Sequence, residues 1–244
     1  MPDNSYPEAI LFDLDDTIIT GDVGTDELWK ALCYQHAELV EGLSGDVLLS
    51  EVNKARDWYW ADPERHRIKR LNLIKARREL VEFVFSKLGI ENEKVCYSLA
   101  DSFTVKKQEM ITLIPGAIDT LVHFKNTGAA MALITNGASD FQRQKIDRFD
   151  LAQYFKYILV EGEFGAGKPD KSVFTHTLGI LGASPENAWM VGDDLKRDIL
   201  GANHAGIFSV WIDRQNKGLP DDPPAHPDRT VTSISELVQR DVDY

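Results

Sequence analysis

The chain has 244 residues, of which 43% are hydrophobic and 27% charged, a balance that suits a folded protein with room for one large domain or a domain carrying an insertion. Its formal net charge of −12 argues against nucleic acid or an anionic membrane surface as a general partner. No apolar run nears the ~20 residues that span a bilayer, and the start "MPDNSYPEA" lacks the pattern of a signal peptide.

The cytoplasm is therefore the expected compartment. Cys33 and Cys96 fit it as two packed thiols, being too few for a disulfide framework and not spaced as a metal site.

The first element is the apolar run "AILFDL" (9–14), a buried strand that runs straight into the acids of "FDLDDTIIT" (12–20). Side chains at i and i+2 of an extended chain point the same way, so Asp13 and Asp15 face one pocket and Asp16 another. A turn or capping role suits Asp16. Two acids on one face need a reason, because crowded like charges are costly. With no cysteine or histidine nearby, the pair suits a hard cation with oxygen ligands, Mg²⁺ above all.

Residues 22 to about 105 lack strand signals and are rich in helix formers. Ile68, Leu71, Ile74, Val81, Val84 and Leu88 fall near three-to-four residue steps and predict one apolar helix face. Residues 54–78 hold nine Lys/Arg against three Asp/Glu, a basic island in an acidic chain. A solvated helix face is the expected reading. Arg65, Arg67, Lys69, Arg70, Arg77 and Arg78 point to different faces and cannot all meet one anion. Trp58, Tyr59 and Trp60 are expected to pack internally.

"IPGA" (114–117) punctuates the return, with Pro115 suited to a first helical turn. Strands are then predicted at 130–135, 157–160, 188–191 and 208–212, and helices near 117–126, 140–154, 172–181 and 195–205. "LPDDPPAHPD" (219–228) reads as a loop, and "SISE" (233–236) has capping-box spacing before a last short helix. Alternating strands and helices imply an α/β fold, a Rossmann-like doubly wound parallel sheet interrupted by an α-helical insertion. The core is expected at 1–20 and 106–244, the insertion at 21–105.

In such sheets ligands bind beyond the carboxyl ends of the strands. Those ends carry Asp13, Asp15 and Thr17; then Thr135, Asn136 and Gly137; then "EGEFGAGKP" with Lys168; then "GDDLKRD" with Asp193, Asp194 and Asp198. Gly162, Gly167 and Lys168 fit a P-loop, but Pro169 stands where that motif needs Ser or Thr, so the P-loop is rejected and Pro169 is expected to open the next helix.

"DLDDT", "ITN", "GKP" and "GDDLKRD", in this order and spacing, resemble the four motifs of the haloacid dehalogenase superfamily, in its phosphatase branch. The resemblance covers about 8–20 and 110–215. It implies that Asp13 is the nucleophile, forming an aspartyl-phosphate, and that Asp15 is the acid–base. It implies that Asp13, Asp15 (through its main-chain carbonyl) and Asp193 hold Mg²⁺. Thr135, the main-chain N–H of Asn136 and Lys168 hold the phosphoryl group, with Thr17, Asp194 and Asp198 in support. The insertion resembles the C1-type helical cap, which excludes water and selects the leaving group.

The implied activity is a Mg²⁺-dependent phosphatase of a small phosphorylated metabolite, similar to nucleotide, flavin mononucleotide or N-acylneuraminate 9-phosphate phosphatases. A phosphomutase uses the same acids and stays open. A 2-haloacid dehalogenase lacks the second acid and needs no metal, so Asp15 and Asp193 argue against it. A non-catalytic binding protein would show decayed motifs, and none is missing here. The oligomeric state is open, a homodimer included.

Overall fold

A computed structural model describes residues 6–21 and 23–238; residues 1–5, on which part of the signal-peptide reading rests, lie outside them. The chain divides into two compact units, Met1–Gly21 with Thr112–Tyr244, and Asp22–Ile111.

In chain order the strands are β1 (Ala9–Phe12), β2 (Ala130–Thr135), β3 (Tyr157–Val160), β4 (Ala188–Gly192), β5 (Phe208–Ile212) and β6 (Arg229–Val231). The helices are α1 (Thr25–Ala37), α2 (Gly45–Ala61), α3 (Pro63–Lys69), α4 (Leu73–Lys87), α5 (Glu93–Glu109), α6 (Ala117–Thr127), α7 (Ser139–Arg148), α8 (Glu161–Phe164), α9 (Lys171–Leu181) and α10 (Leu200–Ala205).

The first unit is a six-stranded, wholly parallel sheet of order β3-β2-β1-β4-β5-β6. β1 lies at its centre, with Phe12 level with Leu133 of β2 and Val191 of β4. All four β1 residues are fully buried, as a strand covered on both faces requires. The chain winds outward from β1 through β2 and β3, then returns to β4 on the other side. This reversal is the switch point at which strand ends leave a crevice, and Asp13, Thr135 and Asp193 stand at those ends.

Several local expectations are corrected. The helix expected at 140–154 ends at Arg148, because Asp150 takes a left-handed φ of 50° and a short 3₁₀ turn, Ala152–Tyr154, follows. The segment 195–205 opens as a π-type turn over Leu195–Ile199 before α10. Pro115 precedes the Gly116 cap of α6, and Pro169 precedes the Asp170 cap of α9, so neither proline lies inside a helix. β6 lay hidden because "RTV" is too short to read as a strand without its partner β5.

The second unit consists of α1–α5. Ser44, Asp62, Asn72 and Asn92 cap α2–α5, each side chain accepting from a backbone N–H near the start of its helix. α5 continues past Lys106 to Glu109. Its core contains Leu32, Leu48, Leu80 and Leu99, with Trp29 stacked on Phe103 at 3.9 Å. The single apolar face expected from Ile68 to Leu88 does not form. α3 ends before Leu71 and α4 starts afresh after the Asn72 cap, so Val81 and Val84 are buried while Ile68, Leu71 and Ile74 are exposed. At least five of the nine basic residues of the island are paired within this unit: Lys54 with Glu51, Arg56 with Asp26, Arg67 with Glu64, Lys69 with Glu79, and Arg78 with Asp101. Among the described residues, no helix is long and apolar enough to cross a membrane.

Candidate active site

The backbone N–H of Asp13 donates to Val191 O at 2.9 Å, which continues the sheet one residue past β1 and fixes where this carboxylate emerges. Lys168 reaches it from the loop between α8 and α9, which follows the edge strand β3. Its side chain is 2% exposed, and its ammonium donates to Asp13 Oδ1 and lies 2.7 Å from Asp198 Oδ1. Asp198 is itself 1% exposed, and its Oδ2 accepts from the Asp194 N–H at 3.1 Å.

Asn136 is clamped to the backbone of Lys168 by two bonds of 2.8 Å, one to Lys168 O and one from Lys168 N. Its side chain therefore fixes the lysine's loop. Gly137 takes φ of 124° and donates to the buried Glu161 at 2.8 Å, which holds the turn after β2. Thr135 is buried at the end of β2, and Gln142 Nε2 donates to its hydroxyl. Thr17 is fully buried and its hydroxyl has no hydrogen-bond partner.

Asp13, Asp193 and Asp198 offer carboxylate oxygens that all lie within 4.8 Å of one another. Trp211 donates to the main-chain oxygen of Asp193 at 2.7 Å and anchors that loop to β5. Burial raises the proton affinity of Asp13, an effect Lys168 opposes and Asp198 reinforces. Burial, then Asp13 and Asp198, push Asp193 up as well. Burial alone would pull the Lys168 ammonium down, but the two acids beside it hold it above its ordinary value. One lysine does not neutralise three clustered carboxylates, two of them buried and Asp193 partly so. A hard divalent cation would, and an all-oxygen donor set is the kind it takes.

Asp15 does not join that cluster. Its carboxylate accepts from Lys145 at 2.8 and 3.0 Å and from Gln142 at 2.9 Å. Asp16, at φ of 60°, accepts from Gly21 N at 2.9 Å and closes the turn, as a turn residue should. Asp194 caps the 195–199 turn through Lys196 N and Arg197 N, both at 2.8 Å. The arrangement thus brings Asp13, Lys168, Asp193 and Asp198 together, puts Thr135 and Asp15 on one hydrogen-bonded network, and leaves Asp194 as a cap.

Sequence reading missed Gln142, Lys145, Glu161 and Trp211. The available signal was weak: Gln142 and Ile146 share a helix face one turn apart, and Gln142 belongs to the first helix after a site strand.

The model of the haloacid dehalogenase-like hydrolase family matches residues 7–206. The chain is 38% identical over 179 residues to a phosphoserine phosphatase of Thermus thermophilus, covering 73% of this chain and 65% of that one. It is 31% identical over 232 residues to the pyrimidine 5'-nucleotidase YjjG of Escherichia coli, covering 94% and 96%. It is 33% identical over 156 residues to the N-acylneuraminate-9-phosphatase of Rattus norvegicus, covering 62% and 61%. Among solved structures, the HAD-hydrolase YfnB of Bacillus subtilis bound to magnesium matches with a TM-score of 0.70 at 22% identity, covering 96% of this chain and 97% of that one. A 2-haloacid dehalogenase of Pseudomonas syringae matches with a TM-score of 0.63 at 24% identity, covering 94% and 95%. Both structures share the fold.

Proposed function

The chain belongs to the haloacid dehalogenase-like hydrolase family, and we propose that it is a magnesium-dependent phosphatase of a small phosphorylated metabolite, working through an aspartyl-phosphate on Asp13. Its phosphatase relatives make it a hydrolase acting on phosphate monoesters. The observation that carries the finer reading is Lys168 held between Asp13 and Asp198 beside Asp193, with Asp15 tethered separately two residues on.

In this reading Asp13 attacks phosphorus, the bond from phosphorus to the ester oxygen breaks, and Asp15 gives its proton to the departing alcohol. Water then attacks the aspartyl-phosphate, Asp15 takes up the water's proton, and inorganic phosphate leaves. The Thr135 hydroxyl and the Asn136 main-chain N–H hold phosphoryl oxygens, and Lys168 balances charge on Asp13 and the phosphoryl group. Asp198 holds Lys168 in place, and the buried Thr17 supports the loop.

Asp13, the main-chain carbonyl of Asp15 and Asp193 would hold Mg²⁺, with Asp198 at the edge of the same cluster. Bound there, the ion would offset the repulsion among the acids and draw charge from a phosphate oxygen. The unit of α1–α5 is proposed to be a C1-type cap that carries substrate selectivity. The cytoplasm is proposed as its compartment, in keeping with two buried free thiols pushed up by burial to about 12 at Cys33 and about 11 at Cys96.

The test is phosphate release from a panel of phosphate esters in Mg²⁺ and in EDTA. Turnover that needs Mg²⁺ and disappears in Asp13→Asn is expected. Failure to hydrolyse any ester, p-nitrophenyl phosphate included, would overturn the reading. Transfer of the phosphoryl group back to substrate, with none released, would make the protein a phosphomutase.

A further inference from the structure

α7 begins four residues after Thr135, the last residue of β2, and turns two polar side chains back toward the strand ends. Gln142 is 3% exposed. The Lys145 side chain keeps only 12% of its exposure. Their partners are remote in sequence, Asp15 lying 127 residues before Gln142 and 130 before Lys145. A long, flexible lysine gives up much of its side-chain freedom when fixed this way, so the burial of this one calls for a reason beyond a helix surface.

The geometry supplies it. Lys145 donates to both Asp15 oxygens and, at 2.7 Å, to Gln142 Oε1. An ammonium only donates, so the atom it meets on Gln142 must be the amide oxygen. That contact settles which way the amide faces. The Gln142 nitrogen then donates one hydrogen to Asp15 Oδ2 at 2.9 Å and the other to the Thr135 hydroxyl. A hydroxyl that accepts in this direction keeps its own hydrogen for an anion.

We infer that Gln142 and Lys145 are positioning residues that together aim the Asp15 carboxylate and the Thr135 hydroxyl at the reacting phosphoryl group. The inference rests on the acid–base role proposed for Asp15. Lys145 fixes both oxygens of Asp15, and Gln142 ties that carboxylate to the hydroxyl at the end of β2. Every member lies in the α/β unit. One amide therefore couples the group that protonates the leaving alcohol to a group that holds the phosphate.

The experiment compares kcat/KM for p-nitrophenyl phosphate and phenyl phosphate, which are close in size. p-Nitrophenol departs readily as its anion, whereas phenol gains from a proton delivered as it leaves. In the wild type both esters are hydrolysed. Asp15→Asn is expected to lose about tenfold more on the phenyl ester than on the nitrophenyl ester, as loss of a general acid should. Lys145→Met is expected to show a gap in the same direction, and Lys145→Arg, which still donates to a carboxylate, to close it. Gln142→Leu is expected to lower both esters, through Thr135, and to open the same gap. Lys145→Gln has similar length without the charge and provides a second variant should Lys145→Met fail to fold, with circular dichroism as the check. Equal loss on both esters, or none, in folded Lys145 and Gln142 variants while Asp15→Asn shows the gap would overturn the positioning role and leave the phosphatase reading standing. Absence of the gap in Asp15→Asn itself would overturn the acid role of Asp15 and the positioning role with it.

Discussion

Lys168 donates its ammonium hydrogen to Asp13 across 155 residues of chain, and both side chains are almost wholly withdrawn from water. A pair of this kind stabilises little by itself, because desolvation offsets most of the attraction, but removing one member leaves a buried charge alone. Lys168→Met is therefore expected to lower stability by about 3 kcal/mol or more, with three carboxylates left facing one another, and to abolish turnover. Asp193→Asn is expected to do the opposite for stability. It removes one repelling acid and leaves the Lys168 pairs intact, so the metal-free melting temperature should rise by a few degrees, roughly 2–4 °C per kcal/mol for a chain of this size, while activity falls. Thermal melts in EDTA with parallel assays check both.

The pH dependence follows from the same cluster. Asp193 is raised by burial and then by Asp13 and Asp198, from an ordinary value of 3.8 to about 9. Between those values the folded state binds a proton that the unfolded chain does not. Stability contributed by that proton is present at low pH and is lost as pH rises through the window. The metal-free protein should therefore melt at progressively lower temperature from pH 5 to pH 9, both values lying inside the window set by Asp193. Added Mg²⁺ should raise the melting temperature most at the alkaline end, because the ion competes with protons for the same oxygens. A shift with Mg²⁺ that does not grow with pH would separate the cation from this cluster.

The sheet and the charged centre were legible because each rests on a local signal. β1 is an uninterrupted buried run, and Asp13 and Asp15 follow it at the spacing of an extended chain. Lys168 and Asp198 were placed near the strand ends by the sheet pattern, but their roles came from resemblance, since neither a lone lysine nor a lone aspartate announces a partner after another strand. Gln142 and Lys145 were not found, because polar residues three apart on a helix look like a solvated face until the helix is docked. Ile68, Leu71 and Ile74 misled for the converse reason. Their spacing matched one helix, but the Asn72 cap restarts the chain and breaks the stripe.

Gly192 ends β4 with its α-carbon against Asp198. A β-carbon there would lie 2.1 Å from Asp198 Oδ2 and 2.4 Å from its Cγ, both far inside contact distance. Asp198 is held by the Asp194 N–H and lies beside Lys168, so it can yield only by leaving the lysine. Gly192→Ala is therefore expected to cost about 1–3 kcal/mol by overpacking and to cut kcat sharply, whereas Gly179→Ala, with open space around it on α9, should leave kcat unchanged and raise stability by about 0.5–1 kcal/mol. Chemical denaturation and steady-state assays of the two variants check the contrast.

The two adjacent arginines of α4 should behave differently. Arg78 makes a bidentate pair with Asp101 in which each side chain retains 42% exposure, and such pairs contribute about 0–1 kcal/mol. Arg78→Ala should leave the melting temperature almost unchanged. Arg77 lies over the Phe103 ring at 5.1 Å, its Nη1 is buried with no hydrogen-bond partner, and burial lowers its proton affinity to about 10. A cation over a ring gains about 0.5–2 kcal/mol, whereas withdrawing a charge from water costs several. Desolvation wins on magnitude. Arg77→Met keeps the stem's packing on Phe103 and removes the charge, so it is expected to raise the melting temperature. A fall would show that the guanidinium's contact with Phe103 outweighs its lost hydration. Thermal melts of Arg77→Met, Arg78→Ala and the double variant decide between these, with Arg77→Met and the double variant expected to coincide because the Arg78–Asp101 pair adds so little.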